Sequence, residues 1–248
     1  MIELKDVYFS IDGKPIIEGL SLQVNEGETI TIMGRSGCGK TVTLKLILGL
    51  YKPDSGEIWV DGREISRLNF DQLAEVRKKI GVLFQSSALF DSMTVGENVG
   101  FMLYQHTKLP RKEIEKIVAE KLELVGLPGT QDLKPAQLSG GMRKRVGLAR
   151  AIAMNPKIIL YDEPTTALDP MTVSGIIRMI KELHDKLGVT SVIVTHDIPS
   201  AFFLSTRIAV MNKGKIIEVG TPQQIQQSQN PFVKAFLSGE SDAKENSL

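Results

Sequence analysis

The chain has 248 residues, of which 42% are hydrophobic and 24% are charged, and its formal net charge is +1. This length is sufficient for one domain with a buried core, and the near-neutral charge gives no electrostatic reason to expect a nucleic-acid partner. The sequence contains no apolar run as long as a membrane span, and residues 1–5 lack the apolar start of a signal peptide, so we expect a cytosolic protein.

The first part of the chain predicts short strands with an antiparallel arrangement. The dipeptide Asp61-Gly62 is typical of a tight turn. The predicted strands cover residues 4–9, 16–24 and 57–60.

A phosphate-binding loop is predicted between a buried strand at 28–33 and a helix at 41–50. The intervening motif is Gly34-Arg35-Ser36-Gly37-Cys38-Gly39-Lys40-Thr41. In this P-loop pattern glycines let backbone N–H groups approach phosphate, the lysine neutralises the β and γ oxygens, and the hydroxyl residue binds Mg²⁺. Cys38 is the only cysteine, so an intrachain disulfide is excluded, and we expect the adjacent helix start and Lys40 to favour its thiolate.

The middle of the chain predicts a strand at 80–84 that leads to Gln85, followed by helices. Thr94-Val95-Gly96-Glu97 has the pattern of a capping box, and residues 111–125 predict an amphipathic helix. We expect a helical insert at about 86–155. The predicted domain covers residues 1–238, and the polar segment 239–248 is predicted to be disordered.

The motif Leu138-Ser139-Gly140-Gly141-Met142 predicts a second anion-binding helix start. The serine is a typical N-cap, the glycines leave backbone N–H groups accessible, and a helix is predicted at 143–154. Two such sites far apart in one chain are suited to holding one γ-phosphate from opposite sides in a dimer. We interpret Arg143-Lys144-Arg145 on this helix as a solvated face.

A buried strand at 157–161 ends in Asp162 and Glu163. Beside a P-loop, the first carboxylate can hold Mg²⁺ and the second can polarise the attacking water. His196 directly follows a strand predicted at 191–195, at the strand end where parallel sheets bind ligands. The remaining predicted elements are a helix at 171–187 and a hairpin formed by residues 207–211 and 215–219.

The other two histidines are interpreted as surface residues. His106 lies in a predicted loop, and His184 lies on the helix predicted at 171–187. Neither follows a strand end, so neither is predicted to act in the chemistry.

These motifs, in this order, resemble those of ABC-type ATPases, and the resemblance extends over residues 2–237. It implies an α/β P-loop NTPase of ABC type, with a mainly parallel sheet core, an antiparallel β subdomain and a helical insert. It also implies ATP and Mg²⁺ as ligands. The matching segments are Gly34 to Thr41 as Walker A, Gln85 as the Q-loop, Leu138 to Met142 as the signature, Asp162 and Glu163 as Walker B with the catalytic base, Thr166-Ala167-Leu168-Asp169 as the D-loop, and His196 as the switch histidine.

The resemblance implies three groups of site residues. Those for catalysis are Glu163, His196 and Gln85; those for the metal are Thr41, Gln85 and Asp162; those for the nucleotide are the P-loop residues with Ser139, Gly140, Gly141 and Phe9. Phe9 is assigned to adenine stacking, although Ile11 stands at the usual tyrosine position and Tyr8 is adjacent. Met142 stands where glutamine is commonest, and Thr166 replaces the usual serine but keeps its hydroxyl.

Two stretches are similar to ATPases of MCE-type phospholipid-trafficking (Mla-like) systems. They are residues 83–99 and Thr195-His196-Asp197-Ile198-Pro199, together with the methionine that ends the signature. This similarity implies a homodimer on the cytoplasmic side of the inner membrane, bound to a separate permease, with MCE-type substrate-binding and small accessory subunits. Ala88-Leu89-Phe90 would then lie near the permease contact.

Proteins of several other functional classes carry the same type of ATPase domain. The alternatives are the ATPase of an amino-acid or other small-solute importer, and a soluble ABC ATPase of cluster assembly. A nucleotide kinase would leave residues 138–142 unexplained. Relatives in DNA repair usually carry a long coiled-coil insertion and those in translation carry two such domains, and this chain has neither.

Overall fold

The computed structural model of the chain describes residues 1–239. Its strands are β1 (Ile2–Ile11), β2 (Lys14–Val24), β3 (Thr29–Met33), β4 (Ser55–Val60), β5 (Arg63–Glu64), β6 (Ile80–Leu83), β7 (Ile158–Asp162), β8 (Thr190–Thr195), β9 (Arg207–Asn212) and β10 (Lys215–Gly220). Its α-helices are α1 (Lys40–Ile47), α2 (Phe70–Arg77), α3 (Val95–His106), α4 (Arg111–Leu124), α5 (Gly140–Ile152), α6 (Pro170–Leu187), α7 (Ile198–Leu204), α8 (Pro222–Gln226) and α9 (Pro231–Ser238).

The chain divides into two compact units. The first comprises Met1–Arg67 and the residues from Val194 onward, and the second comprises Leu68–Ile193, so that β8 crosses the boundary. None of the helices within residues 1–239 is long and apolar enough to cross a membrane. Residues 240–248, which make up most of the tail predicted at 239–248, lie outside the described residues.

The first unit contains the predicted antiparallel sheet, in the order β2-β1-β4-β5. Strand β1 is central, because Ile2 pairs with Val24 of β2 on one side and with Val60 of β4 on the other. All three side chains are almost fully buried, which is the reason for their apolar character. In the same unit β9 runs parallel to β3 and antiparallel to β10.

Short C-terminal helices complete the core of the first unit, and the motif analysis did not predict them. Val233 and Phe236 of α9 and Ile225 of α8 pack with Met33, the last residue of β3. Both helices have clear start signals, since Thr221 and Asn230 are N-caps and each is followed by proline at the first helical position. The strand that leads into the P-loop is therefore supported by the C-terminal helices.

In the second unit the pairing of β6 with β7 determines where two loops that carry predicted site residues begin. The strands are parallel, and Leu83 pairs with Tyr161. The two strands therefore have their carboxyl ends on the same side of the sheet. Gln85 lies two residues after Leu83, and Glu163 lies two residues after Tyr161. Because a parallel register keeps equivalent residues side by side, this pairing brings the two loops together.

Helices α3, α4 and α5 pack against one another within the second unit. The predicted capping box is confirmed: Thr94 Oγ1 accepts a hydrogen bond from the Glu97 N–H at 3.2 Å, and Glu97 Oε2 accepts one from the Thr94 N–H at 2.7 Å. The placement of His106 in a loop was wrong. It is the last residue of α3, because buried apolar residues at helical spacing extend the helix for three turns beyond its cap.

His184 was also misinterpreted as a surface residue. It lies on α6 and is only partly exposed, with its Nδ1 3.3 Å from Ser191 Oγ of β8. Burial is the main reason that the pKa of His184 lies below its usual value. The side chain therefore helps to pack α6 against the sheet.

Candidate functional site

The loop between β3 and α1 presents an open backbone surface to solvent. Gly37 and Gly39 have φ angles of +80° and +109°, values that residues with a Cβ atom rarely adopt. Ser36 and Gly37 are exposed at the tip of the loop. The N-terminus of α1 follows directly, where the helix dipole favours a negative charge, so the loop is suited to binding phosphate.

Lys40 is the first residue of α1 and is almost fully buried. Its Nζ donates hydrogen bonds to the carbonyl oxygens of Gly34 at 2.8 Å and Arg35 at 3.1 Å. The ammonium group therefore holds the inward-facing carbonyls of the loop and supplies a positive charge close to them. Thr41, the residue with the expected metal-binding hydroxyl, follows it and is half-buried.

Tight packing holds the base of the same loop. A Cβ atom on Gly34 would lie 2.4 Å from the Met211 carbonyl oxygen and 2.7 Å from Cys38 Sγ. Cys38 is buried, and its carbonyl oxygen accepts a hydrogen bond from the Gly214 N–H at 3.1 Å. The thiol therefore faces the interior, where a small side chain is required.

Helix α9 also contacts the loop. The Arg35 guanidinium lies 5.5 Å from the centre of the Phe232 ring, a distance typical of a cation–π contact. The Phe232 ring in turn stacks on that of Phe236, at a centroid distance of 6.3 Å. The second residue of the P-loop is thus tied to the C-terminal helix of its own unit.

His196 is exposed at the carboxyl end of β8, in a turn that is held on both sides. The Asp197 N–H donates to Thr195 Oγ1 at 3.0 Å, and Asp197 Oδ2 accepts from the Ser200 N–H at 3.1 Å, which caps α7. The histidine is therefore presented by a rigid strand-to-helix turn.

Phe9 is buried, with 8% of its surface exposed, and its ring stacks on Tyr51 at a centroid distance of 5.0 Å. Its neighbour Tyr8 is 48% exposed. One face of the Phe9 ring is therefore already covered, and Tyr8 is the more accessible of the two adjacent aromatic residues.

The carboxylates at the end of β7 lie in the second unit. Asp162 and Glu163 are each 8% exposed, and Glu163 has a φ angle of +46°. Thr166 Oγ1 donates to Glu163 Oε2 at 3.4 Å, so the D-loop hydroxyl retained in the threonine contacts the predicted catalytic base. Gln85, at the end of β6, is exposed.

The start of α5 has the predicted cap. Ser139 Oγ accepts a hydrogen bond from the Met142 N–H at 3.2 Å. A Cβ atom on Gly141 would lie 2.6 Å from Thr172 Cγ2, so only glycine permits this approach of α5 to α6. Thr172 is held by Asp169, which accepts from its N–H at 3.0 Å and from its Oγ1 at 2.6 Å, and these bonds lower the pKa of Asp169.

The interpretation of Arg143-Lys144-Arg145 as a solvated face was wrong for its central residue. Lys144 is 4% exposed, and its Nζ donates to the carbonyl oxygens of Gln85 at 2.5 Å and Glu163 at 3.3 Å. A sequence signal was present, because Lys144 lies three residues after Gly141 and four before Leu148, on the buried side of α5. Charge alone suggested solvent exposure, whereas helical spacing indicated burial.

Comparison with known proteins shows which family has this combination of loops. The family model described as "ABC transporter" matches residues 17–166, a range that contains the P-loop, Gln85, the Ser139 cap and the pair Asp162 and Glu163.

Three curated relatives match nearly the whole chain. The intermembrane phospholipid transport system ATP-binding protein MlaF of Haemophilus influenzae is 45% identical over 98% of this chain and 92% of its own length. The MlaF protein of Escherichia coli K12 is 42% identical over 98% of this chain and 90% of its own length. The methionine import ATP-binding protein MetN of Carboxydothermus hydrogenoformans is 44% identical over 96% of this chain and 72% of its own length.

The fold is also found in solved structures. A dimeric ATP-binding cassette in a post-hydrolysis state, bound to ADP and Pi, has a TM-score of 0.82 and 36% sequence identity. The match covers 90% of this chain and 99% of that chain.

The packing of Gly34 yields a first prediction. Gly34→Ala should lower the affinity for ATP by about 10-fold or more, because the new Cβ would collide with backbone at Met211 and shift the loop that is predicted to bind phosphate. The measurement is equilibrium binding of a fluorescent ATP analogue. Gly175→Ala is the control, since a Cβ there would meet no atom within 4 Å and α6 should be preserved. Unchanged affinity in Gly34→Ala would contradict the importance of this contact.

Proposed function

The chain belongs to the ABC transporter family, and on this basis we propose that it hydrolyses ATP to move phospholipid between membranes through a separate permease. The observation that carries the proposal is that a P-loop and the Ser139-capped glycine start of α5 occur in one chain. The extended similarity to intermembrane phospholipid transport ATPases supports the choice of substrate. The ATPase activity itself follows from the family.

Glu163 is the proposed base of the reaction. Its carboxylate would orient a water molecule and accept its proton as the water oxygen attacks the γ-phosphorus, and the bond from this phosphorus to the bridging oxygen would break to give ADP and phosphate. The contact of Thr166 Oγ1 with Glu163 Oε2 would keep the carboxylate in one orientation. His196 and Gln85 are proposed to contact the γ-phosphate and its attacking water.

The donor groups present are suitable for a nucleotide with Mg²⁺. The loop of Gly34 to Thr41 offers backbone N–H groups and the Lys40 ammonium for phosphate. Thr41 and Gln85, with the carboxylate of Asp162, are proposed as the oxygen ligands of Mg²⁺, which prefers such donors. When bound, the ion would neutralise charge on the β and γ oxygens. Phe9 is retained as the proposed adenine contact.

A second copy of the chain is proposed to complete the nucleotide site. Ser139, Gly140 and Gly141 form a capped helix start of the kind that binds anions, and the P-loop of the partner would supply the γ-phosphate. The solved relatives that support this proposal are dimeric cassettes. An MCE-type substrate-binding subunit and a small accessory subunit are proposed as further components of the complex. The chain itself is proposed to lie on the cytoplasmic side of the inner membrane, bound to the permease.

Glu163→Gln provides the test of the catalytic assignment. Removing the base should lower kcat by about 10²-fold or more, while Lys40 and Thr41 still bind MgATP. Phosphate release measures turnover, and gel filtration with ATP should show a trapped dimer. The assignment would be wrong if the variant hydrolysed ATP at the normal rate.

The proposed permease contact is an apolar segment just beyond Gln85. Ala88 and Phe90 are exposed, and the Phe90 ring packs on Phe101 of α3 at a centroid distance of 4.9 Å. Asn98 of α3, which is fully buried, accepts a hydrogen bond from the Phe90 N–H at 2.8 Å and donates to its carbonyl oxygen at 3.1 Å. The segment is therefore held rigidly against the helical part of the second unit.

A surface cavity of about 660 Å³ adjoins this segment through the Phe101 ring. Its wall combines apolar and polar groups and so suits an amphipathic helix of a permease. The lining residues are Ser92, Met93, Glu97, Phe101, Tyr104, Gln105, Thr107, Leu109, Arg111 and Ile114.

Phe90→Asp should weaken permease binding and lipid transport by about 10-fold, because it forces a charge into a desolvated contact, while binding of MgATP is preserved. Co-purification with the permease and transport in proteoliposomes are the two measurements. Phe70→Asp is a matched control, since Phe70 on α2 is 76% exposed and lies outside the proposed contact. If Phe90→Asp bound the permease and transported lipid as well as Phe70→Asp does, the permease contact would lie elsewhere.

The substrate class is tested on the native complex. After purification of the chain with its permease, mass spectrometry should find bound phospholipid, and phospholipid should stimulate ATP hydrolysis. A methionine importer is the second candidate, because the methionine import relative is 44% identical. Stimulation by methionine alone, with no phospholipid bound, would exclude the lipid assignment and leave the ATPase assignment intact.

A further inference from the structure

Helix α5 carries two cationic side chains that hold the loop beyond β6. The Lys144 Nζ lies 2.5 Å from the carbonyl oxygen of Gln85. Six residues later, Arg150 Nη2 and Nη1 donate to the carbonyl oxygens of Ser87 at 2.5 Å and Ala88 at 2.6 Å, respectively. Three backbone carbonyls of one short loop are therefore bound by side chains of the same helix.

The loop needs this support, because its backbone is strained. Ser87 and Ala88 have φ angles of +63° and +44°, in the left-handed region that disfavours residues with a Cβ atom. Such conformations persist only where the surroundings hold them. Gly147 permits α5 to come close enough, since a Cβ there would lie 2.9 Å from Leu83 Cδ1 and 3.3 Å from Ser87 Cβ.

Lys144 differs from Arg150 because it also reaches the loop beyond β7. Its Nζ lies 3.3 Å from the carbonyl oxygen of Glu163, whose φ angle of +46° is likewise in the left-handed region. One ammonium group thus joins the backbone of the Q-loop to the backbone of the predicted base. Burial lowers the pKa of Lys144, whereas the nearby carboxylates of Asp162 and Glu163 act in the opposite direction.

We propose that Lys144 is a positioning residue for ATP hydrolysis: its charge fixes the backbone of Glu163 relative to that of Gln85, so that movement of the Q-loop changes the position of the base. The inference rests on the proposed roles of Gln85 and Glu163. Arg150 supports the same loop further along, next to the segment proposed to contact the permease.

A buried lysine elsewhere in the second unit allows a matched comparison. Lys121 of α4 is 8% exposed, and its Nζ donates to Asn155 Oδ1 at 2.6 Å. Burial lowers its pKa as it does that of Lys144. Lysine-to-methionine substitution therefore removes a buried ammonium group in both cases, but only Lys144 contacts the functional loops.

The experiment compares Lys144→Met, Lys144→Arg and Lys121→Met in the full chain. We expect Lys144→Met to lower kcat by about 10-fold with KM for ATP changed less than about 2-fold, because it contacts the loops and leaves the P-loop intact. Amide hydrogen exchange at residues 85–88 and 163–166 should become faster in the same variant. Lys144→Arg should restore kcat to within about 3-fold, since it keeps the charge and the donors. Lys121→Met should change neither kcat nor exchange at these residues.

Two results would overturn the inference. The first is a Lys144→Met variant with normal kcat and normal exchange at residues 85–88; the second is a Lys121→Met variant with the same loss of kcat, which would indicate a general loss of stability. Should Lys144→Met fail to fold, Lys144→Gln, which keeps a neutral donor, is judged by the same two criteria. Glu163→Gln, measured in parallel, separates the two proposals. If Glu163→Gln retains normal turnover, the catalytic assignment is wrong. If Glu163→Gln loses turnover but Lys144→Met keeps a normal kcat, only the positioning role of Lys144 is wrong.

Discussion

The loops that leave β6 and β7 are joined by one buried cation. A chain that leaves a parallel sheet loses its ladder of hydrogen bonds, and its buried carbonyl groups then need other donors. The Lys144 ammonium supplies them to Gln85 and Glu163 from the neighbouring helix α5. Because a charged donor in a site with little solvent bonds strongly and two carbonyls share it, the two loops are held in a defined relation.

In the first unit a buried lysine also binds the carbonyl groups of a loop that follows a strand. Lys40 bonds the inward carbonyls of Gly34 and Arg35, and the glycines adopt conformations that leave the loop tip open. Cys38 fills the space beneath, where the packing at Gly34 leaves no room for a larger residue. In both units a buried lysine donates hydrogen bonds to backbone carbonyl groups of a loop.

The segment proposed as the permease contact directly follows the Q-loop. Arg150 binds the carbonyls of Ser87 and Ala88, and Asn98 of α3 binds both backbone groups of Phe90. The exposed apolar side chains therefore sit on a backbone that is held from two helices. These hydrogen bonds restrain the segment against α3 and α5.

The local features could be predicted from the amino-acid sequence, because they depend on neighbouring residues. The P-loop glycines, the Ser139 cap, the capping box at Thr94 and the buried strand before Asp162 were all predicted and are present. The mainly parallel sheet, the antiparallel sheet and the ABC family were also predicted from the order of these motifs, and the comparisons confirm the family.

The groups that lie opposite these features depend on the packing of distant elements. The charge of Lys144 predicts a solvated residue, whereas α5 turns it toward the carbonyls of Gln85 and Glu163. The proximity of those two residues depends on the pairing of Leu83 with Tyr161, between strands far apart in the chain. Periodicity shows which side of a helix is buried, but the register of distant strands determines which groups it meets there, and no local pattern carries that information.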